Sequence, residues 1–185
     1  MKVLGVAGWS GAGKTTLIVA LLPRLRARGL RVSTIKHAHH GFDIDRPGKD
    51  SFRHREAGAH EVLVASGLRW ALLHEVDGPE PSLADLLTHL APVDLVLVEG
   101  FRGTPGAKLE VYRPAVGQPP LWPERPDVLA VASDTALPDC DRPVLPLADA
   151  DAVAAWIAEL LPTLAPGLPL PGLPLPGLPS GAGGA

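Results

Sequence analysis

Gly8-Trp9-Ser10-Gly11-Ala12-Gly13-Lys14-Thr15 matches the pattern G-x-x-x-x-G-K-[ST] at every fixed position. Such a loop cradles a triphosphate, because successive backbone amides can point at phosphate oxygens only where side chains do not obstruct them. Gly11 and Gly13 permit that approach, with Ser10 and Ala12 between and beside them. Lys14 would then bridge the terminal phosphates, Thr15 would offer its hydroxyl to a magnesium ion, and Thr16 would reach the α-phosphate.

A magnesium–phosphate site also needs a carboxylate at the far end of a neighbouring strand. The apolar run Leu95-Val96-Leu97-Val98 delivers Glu99 there, followed by Gly100. Asp94 precedes the same run, five residues and roughly 17 Å earlier at about 3.3 Å per residue, so it cannot touch the same ion.

A third group of chemically able residues follows: Lys36, His37, His39, His40, Asp43, Asp45, Lys49, Asp50, Arg53 and His54. Imidazoles and carboxylates so close together suit a transition metal. The cations among them, with Arg55, suit phosphates or a second anionic ligand, and without cysteine support the anion reading is favoured.

These residues need a frame. Lys2 to Ala7 reads as a buried strand, and Thr15 to Arg28 as a helix with Leu17, Ala20, Leu21 and Leu25 at helical spacing and Gly29 as its stop. Leu30 to Ile35 predicts a second strand, and Lys36 to Gly48 a loop where ligand contacts are expected. Ser51 to Ala57 predicts a short helix, and Glu61 to Ala65 and Arg69 to His74 two strands joined by a tight turn. Pro81 to Asp85 has the spacing of a capping box.

Val93 to Val98, Lys108 to Tyr112 and Val128 to Ala132 complete the strands, with a last helix over Asp149 to Leu161. Alternating strands and helices predict an α/β fold, a P-loop NTPase-type, mostly parallel sheet with helices on both faces. Ligands of such sheets gather at the carboxyl ends of the strands. Residues 1–161 form the expected nucleotide-binding domain. Residues 162–185 form a proline-rich tail with the repeat Pro-Gly-Leu-Pro-Leu, expected to be extended and disordered.

Bulk properties narrow the partners. A formal charge of −3 gives no basic field for nucleic acid or an anionic membrane surface. The lone cysteine, Cys140, excludes an intrachain disulfide framework and favours a reducing, cytoplasmic setting. No apolar run is long enough to span a membrane.

Several of these motifs, in this order, resemble the MobB family of molybdopterin-guanine dinucleotide biosynthesis adaptor proteins. They are Lys36-His37-x-His39-His40-x-Phe42-Asp43-x-Asp45-x-Pro47-Gly48-Lys49-Asp50-Ser51-x-Arg53-His54, Asp94 to Phe101, Lys108 to Arg113 and Val131 to Asp134. The resemblance runs from Lys2 to about Leu161. It implies binding of GTP with Mg2+, slow hydrolysis at most, a homodimer, assistance to the MobA guanylyltransferase that attaches GMP to molybdopterin, and contact with the molybdenum-insertion protein of the pathway. It also implies that the Lys36 to His54 segment is a switch-like loop facing the partner or the pterin.

The chain has no asparagine, so the usual Asn-Lys-x-Asp motif for reading guanine cannot exist here. Asp134, next to Ser133 after the Val128 to Ala132 strand, is the expected substitute, since a carboxylate accepts from the ring nitrogen and exocyclic amine that adenine lacks. Trp9 stands where dimeric relatives in the wider P-loop class often carry a second lysine, and nothing declares itself as an arginine finger or water-orienting glutamine. Weak turnover is therefore expected. Two other classes fit the phosphate loop: an ATP-dependent small-molecule kinase, and a metal-delivery GTPase drawing on His37, His39 and His40.

Overall fold

The computed structural model describes residues 1–38, 41–101 and 103–167; His39, His40, Arg102 and the chain from residue 168 lie outside the described residues. In chain order the elements are β1 (Lys2–Ala7), α1 (Lys14–Ala27), β2 (Val32–Lys36), α2 (Asp50–Glu56), β3 (Glu61–Ala65), β4 (Trp70–His74) and α3 (Leu83–Thr88). There follow β5 (Leu95–Glu99), β6 (Lys108–Tyr112), β7 (Val128–Ser133), β8 (Val144–Pro146) and α4 (Ala150–Leu160). They fall into two compact units: Met1–His37 with the chain from Leu87 onward, and Ala38–Leu86.

The first unit holds a six-stranded sheet in the order β2-β5-β1-β6-β7-β8, parallel at every pairing. Val6 is level with Glu99 and Glu99 with Lys36, so the carboxyl ends of β1, β5 and β2 finish side by side. The central strands are apolar on both faces, as burial on both sides requires. One face packs Leu4, Val6, Leu95, Leu97, Leu109 and Val111 against Leu17, Leu21 and Leu25 of α1 and Val153 and Ile157 of α4. On the other, Val128 and Val131 cluster with Trp122.

The sheet with its helices matches the fold class read from the sequence, and the two long helices, α1 and α4, share one face of it. The glycine stop at Gly29 also holds. Gly29 N–H donates to Arg26 at 2.9 Å and Leu30 N–H to Leu25 at 3.2 Å, with Gly29 at φ +82°, the paired bonds of a left-handed helix end. At the amino end of α4, Asp149 accepts from the amides of Asp151 and Ala152, both at 3.0 Å. β8, three residues that follow Pro143 and end on Pro146, was not foreseen because so short a run has no periodicity to read.

Contacts continue past residue 161 to Gly167. Leu164 is buried, the Lys2 ammonium donates to its carbonyl, and Gly167 N–H donates to Met1 at 2.9 Å. After a 3-10 turn over Leu161–Thr163, the chain from Leu164 to Gly167 therefore lies along the start of β1, where the sequence predicts an extended tail. Pro166 bridges to Lys2 in antiparallel sense, and Gly167 supplies the backbone donor that proline lacks.

The second unit pairs β3 with β4 as an antiparallel hairpin and packs α2 against β3. The expected capping box is present: Asp85 N–H donates to Ser82 Oγ at 3.2 Å, and Ser82 N–H returns a bond to Asp85 at 3.0 Å.

Candidate functional site

The glycine loop leaves β1 through Gly8, at φ +135°, where a Cβ would stand 2.3 Å from the Val111 carbonyl oxygen. Only glycine lets the chain cross β6 so closely. Gly11 and Gly13 have φ of +80° and +101°, and a Cβ on either would meet nothing within 4 Å. Gly13 is also the residue before α1, whose first turn carries no acid, leaving the positive end of the helix uncancelled. The Trp9 carbonyl is a hub that accepts from Ala12 N–H at 3.2 Å and the Lys14 ammonium at 2.9 Å. Ser10, Thr15 and Thr16 are exposed.

Sequence reasoning paired Thr15 with Glu99, and the structure brings them together. The Thr15 hydroxyl lies 2.9 and 3.0 Å from the two Glu99 carboxylate oxygens. These are hard oxygen donors at the end of a parallel strand beside a phosphate loop, the chemistry magnesium accepts. Lys36 sits opposite, its ammonium 3.8 Å from Glu99. His37 follows, its amide donating to the Glu99 carbonyl at 2.8 Å and its ring 4.6 Å from that of Phe101. Gly100 has φ +98°, and a Cβ there would lie 2.6 Å from that of His37. Phe101 adopts φ +47°, a left-handed conformation costly for an aromatic residue. Asp94 lies at the amino end of β5, accepting from Arg31 N–H at 2.7 Å, away from this site.

Further along the carboxyl edge, Tyr112 is level with Ser133. Ser133 is buried and its hydroxyl accepts from Thr135 N–H at 3.2 Å. Asp134 is exposed and accepts from Arg113 Nε at 2.7 Å.

Sequence reasoning missed the polar groups that hold this edge. Glu110 is wholly buried, its carboxylate accepting from the amides of Leu121 at 2.8 Å and Trp122 at 3.0 Å. Trp122 meets the Tyr112 ring edge-on, with centroids 5.2 Å apart. Trp9 Nε1 donates to the Pro119 carbonyl at 2.7 Å, joining the glycine loop to the same segment. Lys108, also buried, donates to the Thr104 and Gly106 carbonyls and pairs with Asp127. Burial pushes the Lys108 ammonium pKa below its ordinary value, although Asp127 pulls the other way. The alternation Lys108-x-Glu110-x-Tyr112 was the available signal, but alone it reads as a face turned to solvent.

The other loop residues lie in the second unit. Arg55, a further cation of this segment, organises them: it pairs with Asp43 at 2.9 Å and with Glu75 at 2.7 Å. The Arg55 hydrogen bond holds the Asp43 carboxyl below the usual carboxylate range. Asp45 accepts from Ser51 Oγ at 2.8 Å and Arg46 N–H at 2.9 Å. These carboxylates are thus engaged in shaping their own loop. Lys49, Asp50, Arg53 and His54 frame the start and middle of α2. Among the described residues no group of three or more His, Cys, Asp or Glu is arranged to hold a metal ion. His39 and His40, part of the metal-delivery reading, lie outside the described residues. No helix among the described residues is long and apolar enough to cross a membrane.

Comparison with known proteins converges on one family. The family model for molybdopterin guanine dinucleotide synthesis protein B (MobB) matches residues 3–134. The molybdopterin-guanine dinucleotide biosynthesis adapter protein of Escherichia coli K12 is 44% identical over 164 residues, covering 86% of this chain and 93% of the relative. Its counterpart in Haemophilus influenzae is 42% identical, covering 87% of this chain and 90% of the relative. Among solved structures, a molybdopterin-guanine biosynthesis protein B superposes with a TM-score of 0.67 at 28% identity, covering 85% of this chain and 99% of that one. A MobB homolog from Bacillus stearothermophilus gives 0.66 at 27% identity, covering 88% of this chain and 99% of that one.

Proposed function

The chain belongs to the MobB family, and on that premise we propose that it is a GTP- and Mg2+-binding adapter of molybdopterin-guanine dinucleotide biosynthesis, with weak GTPase activity at most. The observation that carries the nucleotide reading is the convergence of Thr15 and Glu99 within 3.0 Å beside a complete glycine loop. The naming of relatives 44% and 42% identical over most of their length supports the adapter role.

In this reading the amides from Ser10 to Thr16 hold the phosphates, and Lys14 turns from the Trp9 carbonyl to the terminal phosphate oxygens. Thr15 and Glu99 hold Mg2+, which supplies charge neutralisation between the phosphates. Lys36 and His37 border that carboxylate, so the start of the loop senses whether the site is filled. Asp134 accepts from the guanine edge. Trp9 stands where dimeric relatives in the wider P-loop class often carry a second lysine, which supports binding over turnover.

The partners that fit are the MobA-type guanylyltransferase and the molybdenum-insertion protein, met by a homodimer in the cytoplasm, with the Lys36 to His54 loop as the contact. Purified guanylyltransferase with and without this protein provides the test. GTP-loaded protein should raise the rate of GMP attachment to molybdopterin, and the Lys14→Ala variant should not. Equal stimulation by both would overturn the nucleotide-dependent role.

A further inference from the structure

We propose that Arg113 is a positioning residue for base selection: it sets the plane of the Asp134 carboxylate so that both oxygens meet the guanine edge. The inference rests on the reading of Asp134 as the base acceptor.

A carboxylate on a turn has little intrinsic orientation, because the last torsion of aspartate is broad. Recognition of guanine asks for more. The ring N–H and the exocyclic amine lie side by side, and accepting from both requires the two oxygens to lie in the purine plane. Arg113 supplies the constraint. Its Nε donates to Oδ2 of Asp134 at 2.7 Å, a single-point bond that leaves Oδ1 whole and a second lone pair on Oδ2. Guanine can therefore bind without displacing the arginine.

Arg113 is itself held from behind. It follows Tyr112, whose register partner is Ser133, so Arg113 and Asp134 leave adjacent strands at the same level. The Tyr112 ring packs edge-on against Trp122, and the Trp122 amide is bound by the buried Glu110 carboxylate. On the other strand, the Ser133 hydroxyl accepts from the Thr135 amide and shapes the turn that presents Asp134. A side chain anchored this way can aim its neighbour, where one on a mobile loop could not.

Magnitude separates this role from a merely structural one. Arg113 and Asp134 are 43% and 31% exposed, and ion pairs so exposed add little to stability. Losing Arg113 should therefore leave the melting temperature nearly unchanged while altering which base is preferred.

The full chain and its Arg113→Ala, Asp134→Ala and double variants would be titrated with GTP, ITP and ATP in magnesium, with melting curves alongside. ITP keeps the ring N–H and lacks the exocyclic amine, so it reports the second contact separately. Asp134→Ala should abolish the GTP preference. Arg113→Ala should keep ATP affinity and lower the GTP:ATP and GTP:ITP ratios by about three- to tenfold, the loss expected when charge-assisted bonds are made off-plane. The double variant should equal Asp134→Ala, because Arg113 acts through that carboxylate.

A wild-type ratio in Arg113→Ala, with the ratio lost in Asp134→Ala, would overturn this proposal and leave the base reading intact. A wild-type ratio in Asp134→Ala would overturn the base reading itself. A double variant whose affinities for GTP and ITP differ from those of Asp134→Ala would mean that Arg113 touches the base directly, again overturning the positioning role. Should Arg113→Ala melt well below wild type, Arg113→Lys, which keeps the charge and loses the fixed guanidinium plane, must still lower both ratios.

Discussion

The Thr15 hydroxyl bridges both carboxylate oxygens of Glu99, at 2.9 and 3.0 Å, although 84 residues separate them in sequence. The bridge ties the first turn of α1 to the end of β5, the two elements that a magnesium–phosphate site must align. It also orients oxygens whose charge would otherwise be screened by water.

Removing either half of that pair should uncouple nucleotide binding from magnesium. Thr15→Ala and Glu99→Gln should each weaken magnesium-dependent GTP affinity by about 1.5 to 3 kcal/mol, the range for hydrogen bonds to charged groups, while leaving magnesium-free binding nearly unchanged. Titrations with and without magnesium separate the two. Equal losses in both conditions would place the defect in the phosphate loop instead.

Gly8 offers a test of the loop's path. A methyl group there meets the Val111 carbonyl oxygen at 2.3 Å, and the backbone sits at φ +135°. Gly8→Ala must shift β1 from β6, so the variant should lose about 1 to 3 kcal/mol of stability and most of its triphosphate affinity. Denaturant melts and a nucleotide titration check both losses. Gly11→Ala, where a Cβ meets nothing, should lose affinity with a smaller stability change from its positive φ.

Much of this arrangement was legible in the sequence because local rules and burial agree there. The glycine loop, the apolar run ending in Glu99, the Gly29 stop and the Ser82–Asp85 cap each follow from spacing alone. Lys108 and Glu110 were not legible. A strand reading turns them to solvent, whereas distant amides of Leu121 and Trp122 and the carboxylate of Asp127 make their burial possible. The Arg113–Asp134 and Trp9–Pro119 contacts likewise depend on which loops meet, which no local pattern encodes.

Asp127 supplies a pH-dependent test of that buried support. Burial pushes its carboxyl up, but hydrogen bonds from Arg125 and Lys108 outweigh this and hold it below the ordinary value of 3.8. Its contribution is therefore present above the unfolded value and disappears as pH falls through the lower folded one. Lys108 acts in the opposite range: its folded pKa lies below 10.5, so the folded state sheds that proton first and stability rises with pH in the window below 10.5. Asp127→Ala should cost about 3 kcal/mol at neutral pH, because it leaves a buried ammonium without its counter-charge. Its melting temperature should also change less than that of the wild type on acidification from pH 5 to 3. An unchanged acid slope would show that Asp127 is not a source of the loss.

The central claim is that the chain binds a guanine nucleotide at the Thr15–Glu99 site, and calorimetric titration with GTP and with ATP, each with and without magnesium, tests it most directly. The account predicts a clear preference for GTP that strengthens when magnesium is present. Equal binding of both nucleotides, or a preference for ATP, would contradict it.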